Sequence, residues 1–152
     1  MRHQVISYAT LLVCATLIGG AAGAQTAPTT YEVEDSFDNV TFAVENAILG
    51  AGLIVEHVSH VGEMLERTRV DIGSDRVLFT QADVYSFCSA KISRQVMEAD
   101  PSNIQFCPYG IFVYELADKP GTVVVGHRSF DGTMAPVQEL MTTIISDAVG
   151  NN

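Results

Sequence analysis

Two segments of the chain carry the hydrophobic repeat of an amphipathic α-helix. In the first, residues 38–52, apolar side chains recur at three- and four-residue spacing, at Val40, Ala43, Val44, Ala47, Ile48 and Ala51. In the second, residues 133–150, the repeat runs through Val137, Leu140, Met141, Ile144 and Ala148. Asp38 or Asn39 is predicted to cap the first helix, and Gly150 to end the second. Each pattern predicts a long helix that buries one face.

Strand-like composition marks five other segments, which are rich in Val, Phe and Tyr or alternate in polarity. They are residues 31–37, 53–61, 76–88, 104–116 and 122–130. Shorter helical patterns separate some of them, at residues 62–68 and 89–101. Pro108 interrupts the fourth strand, which favours a bulge or an edge position there. The order predicts an α+β fold: a mostly antiparallel sheet with both long helices on one face.

The N-terminus has the three-part layout of a secretory signal peptide. Arg2 precedes an apolar run, and small residues stand at Ala22 and Ala24. We therefore predict cleavage after Ala24, which also removes Cys14. Residues 25–30 then form a short linker and residues 31–150 a single domain. The mature protein is predicted to be periplasmic or secreted, with no membrane span after processing.

The chain is acidic, with a formal net charge of −10. Such a surface keeps a protein soluble and repels phosphate backbones. Nucleic acids and anionic membrane surfaces are therefore poor partners. A structural protein recognised through its acidic surface remains one interpretation.

Two cysteines are predicted to survive processing, Cys88 and Cys107. In an oxidising compartment a single leftover pair favours one disulfide. Closing a loop of this length contributes roughly 3 kcal/mol in the chain-entropy view. An exchangeable thiol pair, a metal site and two inert core thiols are the alternatives. The spacing is not that of a Cys-x-x-Cys redox motif.

Cys88 ends a predicted strand, and the predicted N-cap of the next helix, Ser89, follows it. A helix N-terminus stabilises negative charge, and Lys91 and Arg94 lie in the first two turns. The thiol pKa is therefore expected to be lowered. These residues together with Cys107 form a candidate site for a small anionic or thiol compound.

No motif for nucleotide binding, zinc hydrolysis or serine hydrolysis occurs in the sequence. We predict no cofactor and no metal site. His60 and His127 are the side chains that would come first as ligands if a metal were bound.

Three sequence blocks resemble the domain of unknown function 302 family: "ENAILGAGLIVEHVSHVGEML", "FCSAKISRQVMEADP" and "FCPYGIFVYEL". The resemblance covers roughly residues 31–130. It departs from the family pattern at Ser59, where the family has Asp, and at Ser89-Ala90, where it has Asn-Pro. The resemblance implies a TATA-binding-protein-like architecture with strand, helix, four strands and helix. It implies no established activity.

These observations predict an uncharacterised small-ligand-binding or redox-accessory module with a Cys88–Cys107 disulfide. The alternative is a thiol-based or metal-assisted enzyme that uses the same two cysteines, with His60 as an additional group. The chemical state of the two thiols discriminates between the two classes.

Overall fold

The computed structural model of the protein describes residues 27–150. The predicted signal peptide lies outside the described residues. Within them, no helix is both long enough and apolar enough to cross a membrane.

The α+β fold is confirmed. The five strands are β1 (Thr29–Val33), β2 (Val55–His60), β3 (Phe79–Phe87), β4 (Tyr109–Leu116) and β5 (Val123–His127). The four α-helices are α1 (Phe37–Gly50), α2 (Val61–Thr68), α3 (Ala90–Ala99) and α4 (Ala135–Val149). Short 3-10 helices span Pro101–Phe106 and Gly132–Met134.

The strands form one sheet in the order β1-β5-β4-β3-β2, and every neighbouring pair is antiparallel. Successive side chains of a strand point to opposite faces. On β4, Tyr109, Ile111 and Val113 are therefore buried together, whereas Phe112 and Tyr114 point to the other face and are only partly buried. The core lies on the first of these two faces.

Helices α1 and α4 cover the core face of the sheet, as their hydrophobic repeats predict. Val40, Val44 and Ile48 of α1 are buried there, as are Val137 and Met141 of α4. Each of these side chains is almost fully removed from water, which stabilises the fold by about 1.5–3 kcal/mol per large side chain. Packing of the amphipathic faces thus holds the helices on the sheet.

Several element boundaries differ from the sequence prediction, among them those of β1, which was predicted at residues 31–37 and spans Thr29–Val33. Ser36, not Asp38 or Asn39, caps α1: its hydroxyl accepts a hydrogen bond from the Asn39 backbone N–H at 3.3 Å. The cap therefore lies two or three residues earlier than predicted, and the Ser36 backbone N–H donates to the Asp35 carboxylate at 2.7 Å. The segment predicted as the start of the fourth strand is instead the 3-10 helix that ends at Phe106, and β4 begins only after Pro108.

Candidate functional site

The two cysteines lie at adjacent strand ends. Cys88 follows β3 and Cys107 precedes β4, and the pairing of Phe87 with Tyr109 brings these ends together. The two sulfur atoms are 2.9 Å apart. A disulfide bond is about 2.05 Å long, so the thiols are in contact but not bonded, and the predicted bridge is not formed in this structure. The predicted proximity of the two side chains is nevertheless present.

The expected lowering of the Cys88 pKa is wrong. Burial raises the pKa of the Cys88 thiol to about 12, and the hydrogen bond and charge of Cys107 act in the same direction. The positive groups nearby do not offset this, because Lys91 is exposed and the Arg94 guanidinium pairs with Glu98 at 2.9 Å. Ser89 does cap α3, its hydroxyl accepting from the Ile92 N–H at 3.4 Å.

Three polar side chains next to the cysteines were not singled out from the sequence: Ser93, Tyr109 and Glu56, whose hydrogen bond and charge also raise the pKa of Cys88. The Ser93 hydroxyl lies 3.9 Å from the Cys107 sulfur and 2.9 Å from the Tyr109 hydroxyl. Ser93 stands one helical turn after Ser89, so it shares the face of α3 that looks toward the cysteines. The four-residue spacing from Ser89 is the sequence feature that could have identified Ser93 as a neighbour of the cysteines.

Cys107 also lines a cleft, which we call the Arg128 cleft, of about 860 Å³. Its walls come from the 3-10 helix, the partly buried sheet face and the segment after β5, and include Phe106, Phe112 and Arg128. The Arg128 guanidinium carbon lies 5.6 Å from the centre of the Phe106 ring. No Asp or Glu is among the residues that line this cleft.

A second cleft, which we call the His60 cleft, lies between α1, α2 and β3 and measures about 950 Å³. Its polar centre is His60, whose Nδ1 is 2.9 Å from the Asp83 carboxylate. The hydrogen bond to Asp83, and then the Asp83 charge, raise the pKa of His60. The Asp83 carboxylate orients the His60 imidazole, and the His60 side chain remains about half exposed to solvent.

His127 lies elsewhere. It is fully buried on β5, where its Nδ1 donates to the Arg128 carbonyl at 2.6 Å and its ring stacks on Phe130. Its Nε2 has no hydrogen-bond partner among residues 27–150. Strands β4 and β3 separate β5 from β2, so His60 and His127 are not brought together. Within the described part of the chain, no three His, Cys, Asp or Glu side chains cluster closely enough to hold a metal ion.

Residues 29–151 match the family described as "Domain of unknown function DUF302". The chain belongs to the DUF302 family. This confirms the resemblance seen in the sequence and extends it through α4. None of the curated proteins matches the chain.

A solved structure shows the same fold as this DUF302 domain. It is the crystal structure of an uncharacterized conserved DUF302 protein from Bacillus stearothermophilus. The TM-score is 0.55 at 18% sequence identity, with 82% of this chain and 88% of the other covered. At that identity the likeness establishes the fold and not an activity.

Proposed function

We propose that this DUF302 protein is an exported small-ligand-binding module in which Cys88 and Cys107 form a stabilising disulfide. The observation that carries the proposal is the placement of the two sulfur atoms, 2.9 Å apart at the border of the Arg128 cleft. Oxidation would convert this contact into a bond with a shift of under about 1 Å, since a disulfide is about 2.05 Å long. The bond would fix the segment that forms one wall of the cleft.

The electrostatics of the pair favour a structural bond over a reactive one. The thiolate is the nucleophile in thiol chemistry, and oxidising disulfide enzymes stabilise the thiolate of their reduced form. Here burial and Cys107 raise the pKa of Cys88 to about 12. The reduced form gains no such stabilisation, so the bridge should resist reduction.

Ligand binding is supported by the shape of the domain. Small-molecule sites are usually concave, largely preformed and roughly 300–1,000 Å³ in volume. Both clefts fall within that range, at about 860 and 950 Å³. The apolar faces of α1 and α4 are used in the core, so a ligand would bind in a surface cleft and not between these helices and the sheet.

The enzyme alternative has less support. A thiol-based reaction needs a thiolate near neutral pH, which the raised pKa of Cys88 opposes. A metal-assisted reaction with Cys88 and Cys107 needs further ligands beside them, and residues 27–150 contain no such cluster. Ser93 and Tyr109 are weak bases, and the Glu56 carboxylate acts on Cys88 in the direction that raises the pKa of the thiol.

The test uses exported protein purified without reductant. Titration of free thiols in the unfolded chain should find none, and incubation in a cytosol-like glutathione buffer should leave the bond intact. A thermal-shift screen of small metabolites on the same sample should find compounds that raise the melting temperature. Two free thiols, or a bond that the buffer reduces readily, would refute the structural disulfide. A screen without any hit would refute the binding role.

A further inference from the structure

The Arg128 cleft has a charge opposite to that of the protein as a whole. The chain contains 18 acidic residues against 8 Lys and Arg. None of the acidic residues lines this cleft, where Arg128 is the charged group. An anion that enters the cleft is therefore attracted by Arg128 and repelled by no lining carboxylate. A cation that enters the cleft is repelled by Arg128.

The Arg128 side chain is exposed at the cleft. It takes part in none of the ion pairs among residues 27–150, which join other cations to Asp83, Glu66, Glu98 and Glu32. Its guanidinium instead lies over the Phe106 ring, 5.6 Å from the ring centre. Stacking of this kind holds the planar group while its N–H donors stay available for a carboxylate or phosphate.

The rest of the cleft suits a flat apolar body. Phe112 and Val84 come from the partly buried sheet face, and Pro108 from the segment after Cys107. Phe112 lies directly over Gly126, which has no side chain to displace it. Ser86 adds a hydroxyl to this surface. Apolar walls with a few well-placed polar groups are the usual composition of a small-molecule site.

We propose that the Arg128 cleft binds small anions that carry a planar apolar body, with Arg128 pairing with the anionic group and Phe112 and Pro108 contacting the body. The proposal rests on the proposed ligand-binding function and names its site and ligand class. It places anion recognition at Arg128 instead of at Lys91 and Arg94. Aromatic carboxylates and aromatic phosphate esters share the required chemistry.

The test is a chemical-shift titration of the oxidised, processed protein with four matched probes. Benzoate and phenyl phosphate carry the anion, benzyl alcohol is neutral and benzylamine is cationic. We expect benzoate or phenyl phosphate to perturb the backbone amides of Phe106, Gly110 and Arg128 in a saturable manner. The neutral and cationic probes should bind at least about tenfold more weakly, because the charge-assisted hydrogen bond is lost.

Three variants locate the effect. Arg128→Gln should weaken binding of the anionic probe by about tenfold or more, and Arg128→Lys by less, because it keeps the charge without the planar fork. Arg94→Gln makes the same charge change on an exposed helix face outside the cleft, and should alter affinity by less than about twofold. Thermal unfolding of each variant shows whether it is folded, and Arg128→Lys provides the test if Arg128→Gln is not.

The outcomes separate this inference from the proposed function. If benzylamine or benzyl alcohol binds this cleft as tightly as benzoate, or if both Arg128 variants bind the anion as well as the wild type, the inference is wrong while ligand binding stands. If none of the four probes binds the folded protein, the inference is also wrong. The broader metabolite screen then decides whether the ligand-binding function itself survives.

Discussion

The His60 cleft and the Arg128 cleft are similar in size and opposite in charge. The His60 cleft measures about 950 Å³ and is lined by Asp38, Glu63, Glu66 and Asp83, with Arg67 as its arginine. The Arg128 cleft measures about 860 Å³ and is lined by Arg128 and no acidic residue. One cleft therefore continues the acidic surface of the protein, and the other interrupts it.

This difference shows what net charge can and cannot say about ligands. A net charge of −10 describes the whole surface, and it rightly disfavours a long polyanion that must approach over many ångströms. At physiological ionic strength, however, charges more than about 8 Å apart are largely screened from one another. A small ligand responds to the few groups that line its own cleft. The Arg128 cleft can therefore favour anions in a protein that repels them elsewhere.

The largest expected effect concerns the proposed Cys88–Cys107 bridge, which would border the Arg128 cleft. Cys107→Ser prevents the disulfide, and should lower the free energy of unfolding by roughly 3 kcal/mol, because the denatured chain regains the entropy of a loop of about twenty residues. Urea denaturation of oxidised wild type and variant measures the difference. Reduced wild type is the control and should match the variant. Equal stability of oxidised and reduced wild type would contradict the prediction.

A closely packed glycine lies at each of these two clefts, Gly126 against Phe112 and Gly62 against Ala82. A Cβ on Gly126 would lie 2.5 Å from the Phe112 ring, and a Cβ on Gly62 would lie 2.7 Å from the Ala82 backbone nitrogen. Gly126→Ala and Gly62→Ala should each cost about 1–3 kcal/mol of stability, because neighbours must move. Only Gly126→Ala should also weaken anion binding in the Arg128 cleft.

Chemical denaturation measures the stability of the two glycine variants, and titration with benzoate measures their affinity. Gly110→Ala is a matched control on the sheet: a Cβ there would meet the Val84 side chain at an ordinary 3.5 Å. It should change stability less than either variant. A Gly62→Ala protein with the same loss of benzoate affinity as Gly126→Ala would show that the two clefts are not independent.

Much of this fold could be predicted because its signals are local. The buried faces of α1 and α4 follow from apolar spacing alone, as Val44 and Met141 show. The approach of Cys88 to Cys107 followed from a strand, a short helix and a returning strand, which need only local elements and their usual antiparallel pairing.

The Arg128 cleft could not be predicted in the same way. Its lining comes from segments far apart in the chain, including Pro28, Ser86, Phe106 and Arg128. No periodicity links them, and only the sheet order brings β5 beside β4. The predicted direction of the Cys88 pKa shift was wrong for a related reason. The nearby cations can be read from the sequence, but burial has the larger effect on the pKa and depends on the complete tertiary structure.

A smaller effect concerns His127, the buried residue next to Arg128. Burial lowers the pKa of His127 below the ordinary value of about 6.5, so the unfolded chain binds the proton more readily than the folded one. The free energy of unfolding should therefore fall as the pH drops below about 6.5. His127→Phe keeps a ring against Phe130 but cannot titrate. Urea denaturation at pH 8 and pH 5 should show a smaller loss for the variant, and an equal loss would contradict the assignment.

The smallest effect concerns His60 and has the opposite sign. The hydrogen bond to Asp83 raises the pKa of His60, so its contribution to stability is present below about pH 6.5 and is lost as the pH rises through the folded-state pKa. An NMR titration should place the His60 pKa above the ordinary histidine value of about 6.5. Asp83→Asn should lower it more than Glu63→Gln, because Asp83 contributes both the hydrogen bond and the nearest charge, whereas Glu63 acts only through its charge. Arg128→Gln lies in the other cleft and should leave the value unchanged. If Glu63→Gln lowered the His60 pKa as much as Asp83→Asn, the general acidity of the cleft, and not the paired carboxylate, would set the charge of His60.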